Sequence, residues 1–252
     1  MTTSLNATRA ADTLILLGKA GVEGMALKEI SADLKAAKPS VLRCLNALIE
    51  SGFAEQVTRG RYRLGPAIFS LARSETAIET EVDHWRPVLE EVVEAFGQTV
   101  YLVRRAGKNV VVADKQIGTA PIQALVSDIG GRLPMGLGTG SVAILSTFDE
   151  VDWRQIVEQN SEKYADWGVK IDEVAELVKT ASIQGYVYDM EIFIPDCAGI
   201  ALPIRDPGRY DANLALTLSS PSSFLRRNKP SDVAGRIKSI IETHRSSRLR
   251  VP

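Results

Sequence analysis

Asp189 and Glu191 stand two residues apart in an extended-looking run. That spacing sends both carboxylates to one face of a strand, where they could hold a metal ion or move protons; paired surface acids give the same pattern. Thr217 and Ser219 repeat the spacing with hydroxyls, which suit a polar ligand or, taken alone, solvent. Cys197, beside Asp196 and close to Pro195, is a nucleophile by type, but no base is identifiable near it, so it reads as a small apolar wall residue. The two histidines, His84 and His244, fall on helical patterns away from these groups. Two cysteines, Cys44 and Cys197, with no Cys-x-x-Cys or clustered Cys/His spacing, give neither a zinc site nor a disulfide framework. Gly136-Leu137-Gly138-Thr139-Gly140-Ser141 lacks the lysine of a phosphate loop and does not meet the dinucleotide fingerprint. It reads as a glycine-rich helix start whose free N–H groups either hold a carboxylate or hold nothing. None of these groups calls for a cofactor or a metal.

Chemistry of another kind sits near the N-terminus. In the run Lys38 to Glu50, Val41, Leu45, Leu48 and Ile49 form one helical face, and the opposite face carries Ser40, Arg43, Asn46 and Ala47. Arg43 offers two parallel donors suited to guanine, Asn46 can pair with adenine, and Lys38 and Ser40 would sit at phosphates near the helix start. Thr8, Arg9, Arg59 and Arg61 are further phosphate candidates. The alternative is a solvated helix face in a module that docks protein instead of DNA.

The elements that must position these groups follow from periodicity. Ala10, Leu14 and Leu17, then Leu27, Ile30 and Leu34, predict two short helices before the third, with Pro39 tolerable in its first turn and Gly52 as its stop. Phe53 to Val57 and Arg61 to Leu64 predict a hairpin around Thr58-Arg59-Gly60, completing a winged helix-turn-helix. A linker helix is expected from Pro66 to about Trp85, and a separate amphipathic helix from Val88 to Phe96 after Pro87. Beyond it, Thr99 to Val103 and Val110 to Lys115 predict a hairpin. Ser141 to Phe148, Ile171 to Ile183 and Asp232 to His244 predict helices, and 185–194, 197–204 and 213–219 predict strands. The mixture is α+β.

Charge divides along the same lines. Residues 1–73 hold ten Lys or Arg against six Asp or Glu, residues 74–225 hold twelve against 23, and residues 226–252 hold eight against two, so the overall −1 is a cancellation. A basic head on an acidic body points to a polyanion-binding segment joined to a part with another task. Apolar residues make up 45% of the chain, enough for a sizeable core, while no unbroken apolar run approaches the ~18 residues of a membrane span. The first residues lack a secretory pattern, so a reduced cytoplasm is the expected location.

With these residues in view, the sequence resembles the IclR family of bacterial transcriptional regulators over nearly its whole length. The stretch Ala37 to Leu48, then Gly52-Phe53 and Arg61 to Pro66, resembles that family's recognition helix, wing and linker entry. Leu133-Pro134-Met135, Gly185-Tyr186-Val187, Gly199 to Ile204 and Leu216 to Pro221 resemble its effector domain. The resemblance implies a winged helix-turn-helix over 1–65, a linker helix over 66–85 and a GAF-like effector-binding domain over 86–252. It implies no catalytic activity, a double-stranded DNA operator, a homodimer and often a dimer of dimers, and a small organic effector, commonly a carboxylate or aromatic acid. It places Met135, Thr139, Gly140, Asp189, Cys197, Gly199, Thr217 and Ser219 about the effector, with Thr139 and Gly140 offering backbone amides and Thr217 and Ser219 hydroxyls. Gly199 stands where members often have a cysteine, displaced here to Cys197, and Pro39 stands where the recognition helix usually has a hydroxyl residue. If the effector is a carboxylate, Asp189 would repel it, so a hydroxy or phenolic acid that turns its hydroxyl to Asp189 is the expected class. A small-molecule enzyme using Asp189 and Glu191 is the alternative from a different class.

Overall fold

The computed structural model of the chain describes residues 4–72, 77–205 and 211–248, and the chain divides into two compact units, Met1–Ala77 and Ile78–Pro252.

In the first unit α1 (Leu5–Leu17) is followed by a two-residue strand β1 (Met25–Ala26), α2 (Leu27–Asp33) and α3 (Lys38–Glu50). Then come β2 (Ala54–Thr58), β3 (Arg61–Leu64) and α4 (Pro66–Ala72). The helical stripes expected from spacing meet: Leu17, Ile30, Val41, Leu45 and Leu48 are buried together with Ala54 and Tyr62 of the hairpin. The Glu29 carboxylate accepts the Ala26 N–H at 2.7 Å and fixes the start of α2. The sheet order is β1-β3-β2, so the wing has a third strand that two residues could not announce in sequence.

The second unit opens with α5 (Ala77–Phe96), which runs through Pro87 without a break, so the expected separate helix after that proline does not exist. Interior proline costs about 3 kcal/mol. Val88, Leu89 and Val92 are fully buried, at roughly 1.5 to 3 kcal/mol each, which outweighs that loss. Residues 73–76 of the expected linker helix lie outside the described residues.

From α5 the chain forms β4 (Thr99–Ala106), β5 (Asn109–Gln116) and β6 (Arg132–Pro134), then α6 (Thr139–Leu145), α7 (Glu150–Ala165) and α8 (Ile171–Gln184). It ends with β7 (Val187–Met190), β8 (Cys197–Arg205), β9 (Ala212–Pro221), α9 (Ser222–Arg227) and α10 (Pro230–Arg248). Six antiparallel strands lie in the order β6-β5-β4-β9-β8-β7. Side chains alternate between two cores. Val100, Leu102, Leu214, Leu216 and Leu218 pack under α5 and α10, whereas Tyr101, Val103 and Ala215 face α6, α7 and α8. The fold is α+β. Helix α7 was not evident in sequence because only Trp153, Val157, Asn160 and Tyr164 of its sixteen residues are buried, one of them polar. The strand expected over 185–194 is four residues long: Gly185, at φ 80°, is the left-handed cap of α8, and Glu191, at φ 68°, turns the chain away after Met190.

Candidate functional site

Two sets of polar groups remain once the cores are accounted for, one on each unit. On α3, Arg43, Asn46 and Lys38 are exposed while Val41, Leu45 and Leu48 point inward. Arg59 stands exposed at the hairpin turn, and Lys38, Arg43 and Arg59 have no ion-pair or hydrogen-bond partner among the described residues. The other expected phosphate contacts are engaged within the unit. Arg9 donates from Nη1 to Ser40 Oγ at 2.7 Å, tying α1 to the first turn of α3. The Thr8 hydroxyl donates to the Ser4 carbonyl at 3.2 Å. Arg61 corrects the expectation most clearly: Nε and Nη2 donate to the carbonyls of Glu23 and Gly24 at 3.1 and 2.7 Å, so it pins the hairpin to the loop before β1. Arg63 does the same through Glu55 and the Val22 carbonyl, a role the sequence did not suggest.

The second set lines a cleft between the sheet and α6. Ladder register builds its floor. Asp189 of β7 pairs with Gly199 of β8, Gly199 pairs with Ser219 of β9, and one row on Thr217 pairs with Tyr101 of β4. Paired residues share a face. The missing side chain of Gly199 therefore opens a slot between a carboxylate and a hydroxyl. A Cβ there would sit 2.8 Å from Thr139 Oγ1 and 3.3 Å from Asp189 Oδ2, and one on Gly140 would collide with Thr217 Oγ1 and lie 2.6 Å from Val103 Cγ2. The two glycines let α6 approach the sheet. Thr217 Oγ1 is buried with no hydrogen-bond partner among the described residues, so the reading of Thr217 and Ser219 as solvent-facing is overturned. The remaining wall is apolar, with Val103, Val110, Val112, Leu133, Leu137, Phe193 and Ile194, and Trp167, Val126 and Ser127 also line the cleft. No lysine, arginine or histidine is among the lining residues.

Asp189 is the one carboxylate in this lining. Burial raises its pKa from 3.8 to about 6 against the opposing pull of the Ile192 and Phe193 backbone N–H groups. Its Oδ1 accepts from the Ile192 N–H at 3.2 Å. Cys197 is a half-buried wall residue whose thiol is held above its ordinary range by burial and then by Asp189 and Asp196. Met135 does not line the cleft. It is fully buried behind it, and its carbonyl takes the Tyr164 hydroxyl at 2.5 Å. The glycine run before α6 is closed on itself: Ser141 Oγ accepts from the Gly136 N–H at 3.0 Å and donates to the Leu137 carbonyl at 2.7 Å.

The paired-acid reading fails on geometry. Glu191 lies beyond the strand end, exposed, with Oε1 taking Arg226 Nη2 at 2.9 Å, so it shares no face with Asp189. His84 Nδ1 and His244 Nε2 lie 3.4 Å apart, with both rings against Trp85, on the α5/α10 side of the sheet. Among the described residues no three metal-ligating side chains come together, and no helix is long and apolar enough to cross a membrane.

Residues 79–243 match the family described as bacterial transcriptional regulator IclR C-terminal, and residues 7–58 match the IclR helix-turn-helix domain. Among curated proteins the chain is similar to the HTH-type transcriptional regulator KipR of Bacillus subtilis (strain 168), with 26% identity over 138 residues. That match covers 54% of each protein, so the chain spans about half the length of the curated relative it matches. Among solved structures it is similar to an IclR family transcriptional regulator from Brucella abortus, at 20% identity over 100% of this chain and 94% of that one, with a TM-score of 0.74. It is also similar to an IclR homolog complexed with 4-hydroxybenzoate from Microbacterium hydrocarbonoxydans, at 18% identity over 95% and 98% of the two chains, with a TM-score of 0.68. At these identities the likeness speaks to the fold, an N-terminal helix-turn-helix unit followed by an α+β unit.

Proposed function

The chain belongs to the IclR family of bacterial transcriptional regulators, DNA-binding transcription factors and not enzymes, and from that premise we propose an operator-binding regulator controlled by a hydroxylated aromatic acid. In this reading residues 1–65 are the DNA head, 66–85 the linker and 86–252 the effector domain, and the protein works in the cytoplasm as a homodimer or a dimer of dimers. The observation that carries the DNA assignment is the outward face of α3: Arg43 and Asn46 are exposed and Arg43 is unpaired, directly opposite a buried stripe. Arg43 and Asn46 read base edges, and Lys38 and Arg59 meet phosphates.

The effector assignment rests on the cleft. Its floor presents Asp189 with hydroxyls from Thr139, Thr217 and Ser219, and its walls are apolar. A group that donates a hydrogen bond satisfies Asp189, whereas a carboxylate at the same place meets a like charge with no cation among the described lining residues to offset it. A phenolic hydroxyl at the floor, with the acid turned away from Asp189, fits both constraints. The 4-hydroxybenzoate complexed with the Microbacterium protein has this form. Linkage makes the control reciprocal: an effector that weakens operator binding is itself bound less tightly in the presence of DNA.

A mobility-shift series with the intergenic DNA upstream of the gene, repeated from 50 to 200 mM salt, is the test. Sequence-selective binding that weakens about a hundredfold or more over that range is expected if Lys38 and Arg59 of both heads of a dimer meet phosphates. Failure to shift any duplex would favour the protein-docking alternative. Calorimetry with 4-hydroxybenzoate and benzoate tests the effector reading, which equal affinities would defeat.

A further inference from the structure

Trp85 and Trp153 are each 5% exposed, whereas Trp167 is 45% exposed and lines the cleft. Its backbone is not loose. The Trp167 N–H donates to the Tyr164 carbonyl at 3.0 Å and the Val169 N–H to the same carbonyl at 3.1 Å, around Gly168 at φ 69°. Tyr164 is in turn buried and anchored to the Met135 carbonyl. The indole thus projects from a fixed turn, yet its ring has no hydrogen bond and no aromatic contact among the described residues. Val126, 39% exposed, also lines the cleft, and its N–H donates to Tyr101 Oη at 3.0 Å. Two apolar side chains that are hydrogen-bonded through their backbone N–H groups and left partly exposed in the lining of a largely apolar cleft gain burial when a ligand covers them.

We propose that Trp167 is a specificity-determining residue that caps the bound effector by stacking on a planar ring, so that the cleft selects an aromatic compound over a saturated one with the same polar ends. The proposal rests on the effector reading above and adds a residue that reading does not use. Asp189 and the hydroxyls then recognise one end of the ligand, and Trp167 recognises its shape.

The test uses the full-length protein and two probes, 4-hydroxybenzoate and trans-4-hydroxycyclohexanecarboxylate, titrated calorimetrically. Wild-type protein prefers the aromatic probe. Trp167→Leu keeps apolar bulk without the flat face and lowers the affinity ratio roughly three- to tenfold, while Trp167→Phe keeps most of it. Light scattering on each variant accompanies the titrations. A ratio unchanged in Trp167→Leu overturns the cap and leaves the effector reading standing. A change in molar mass with an unchanged ratio overturns it too, and assigns the indole to contact with a second copy of the chain. Failure of the wild-type protein to bind either probe defeats the aromatic-acid reading and the cap with it.

Discussion

The DNA head and the effector cleft solve opposite problems. In the head, the residues assigned to function, Lys38, Arg43, Asn46 and Arg59, stand outside a core made by other residues of the same short elements. In the cleft, Asp189, Thr217, Ser219, Gly140 and Gly199 belong to the packed interior, between a sheet and a helix that is buried at all seven positions. Function and stability are therefore separable in the head and entangled in the cleft. A regulator gains from the difference: the surface that reads DNA can change its specificity freely, and the site that senses a ligand is wired into the packing whose state it must report.

The strongest way to break this contrast is to perturb the head where it should be insensitive to function and sensitive to fold. Leu45 is fully buried one turn from Leu48 and opposite Arg43. Leu45→Ala should cost about 2 to 5 kcal/mol of head stability and lose DNA binding by unfolding. Chemical denaturation followed by circular dichroism reads the loss directly. An unchanged midpoint would mean that the head's core does not lie where α3 buries its stripe.

Asp189 sharpens the contrast from the other side. Its carboxyl is raised to about 6 in the folded protein against 3.8 ordinarily, so the stabilisation of the protonated form is complete below about pH 4 and gone above about pH 6. At pH 8 the ionised, buried group costs on the order of 2 to 3 kcal/mol, and Asp189→Asn should recover much of it while weakening a phenolic effector. The sign of the binding profile separates two orientations. A hydroxyl donating to Asp189 favours the ionised form, so affinity rises from pH 5 to a plateau above about 7. A carboxylate on the floor would show the reverse. Calorimetry of wild-type and Asp189→Asn protein across that range decides between them, and the variant should lose the dependence.

The same difference governs how much could be read from sequence. The head's helices and hairpin rest on contacts between residues a few positions apart, so Leu14, Leu17, Val41, Leu45 and Gly52 announce them, and the exposed face of α3 follows from the buried one. What was missed there, β1 and the clasp of Arg61 on the Glu23 and Gly24 carbonyls, depends on partners 35 to 38 residues distant. The cleft is assembled almost wholly from such partners. Asp189, Gly199 and Ser219, and one row on Thr217 and Tyr101, become neighbours through register across four strands, which no local pattern encodes; family resemblance supplied most of these residues, and spacing alone assigned Thr217 and Ser219 to solvent. Trp167 gave no signal because a lone tryptophan after a weakly amphipathic helix looks like any packing residue. The reading of Glu191 beside Asp189 failed because alternation was assumed to continue past Met190, where a positive φ ends the strand.

The smallest expected effects test whether the head's cations are really distinct in role. Arg43→Ala should leave stability within about 0.5 kcal/mol of wild type and cost about 1 to 3 kcal/mol at the cognate base pair, flattening preference among duplexes. Arg59→Ala should weaken all duplexes alike, because a phosphate is the same on every sequence, and should reduce the slope of log affinity against log salt by about one per bound head, about two for a dimer. Arg61→Ala provides the internal control: its donors are committed to Glu23 and Gly24, so it should lower the melting midpoint of the hairpin before it changes that slope. Fluorescence anisotropy with matched and scrambled duplexes at several salt concentrations distinguishes the three. If Arg59→Ala and Arg61→Ala proved interchangeable in both slope and melting, exposure would not be what separates a working cation from a structural one here, and the division between an outward-facing head and an inward-facing cleft would lose its sharpest edge.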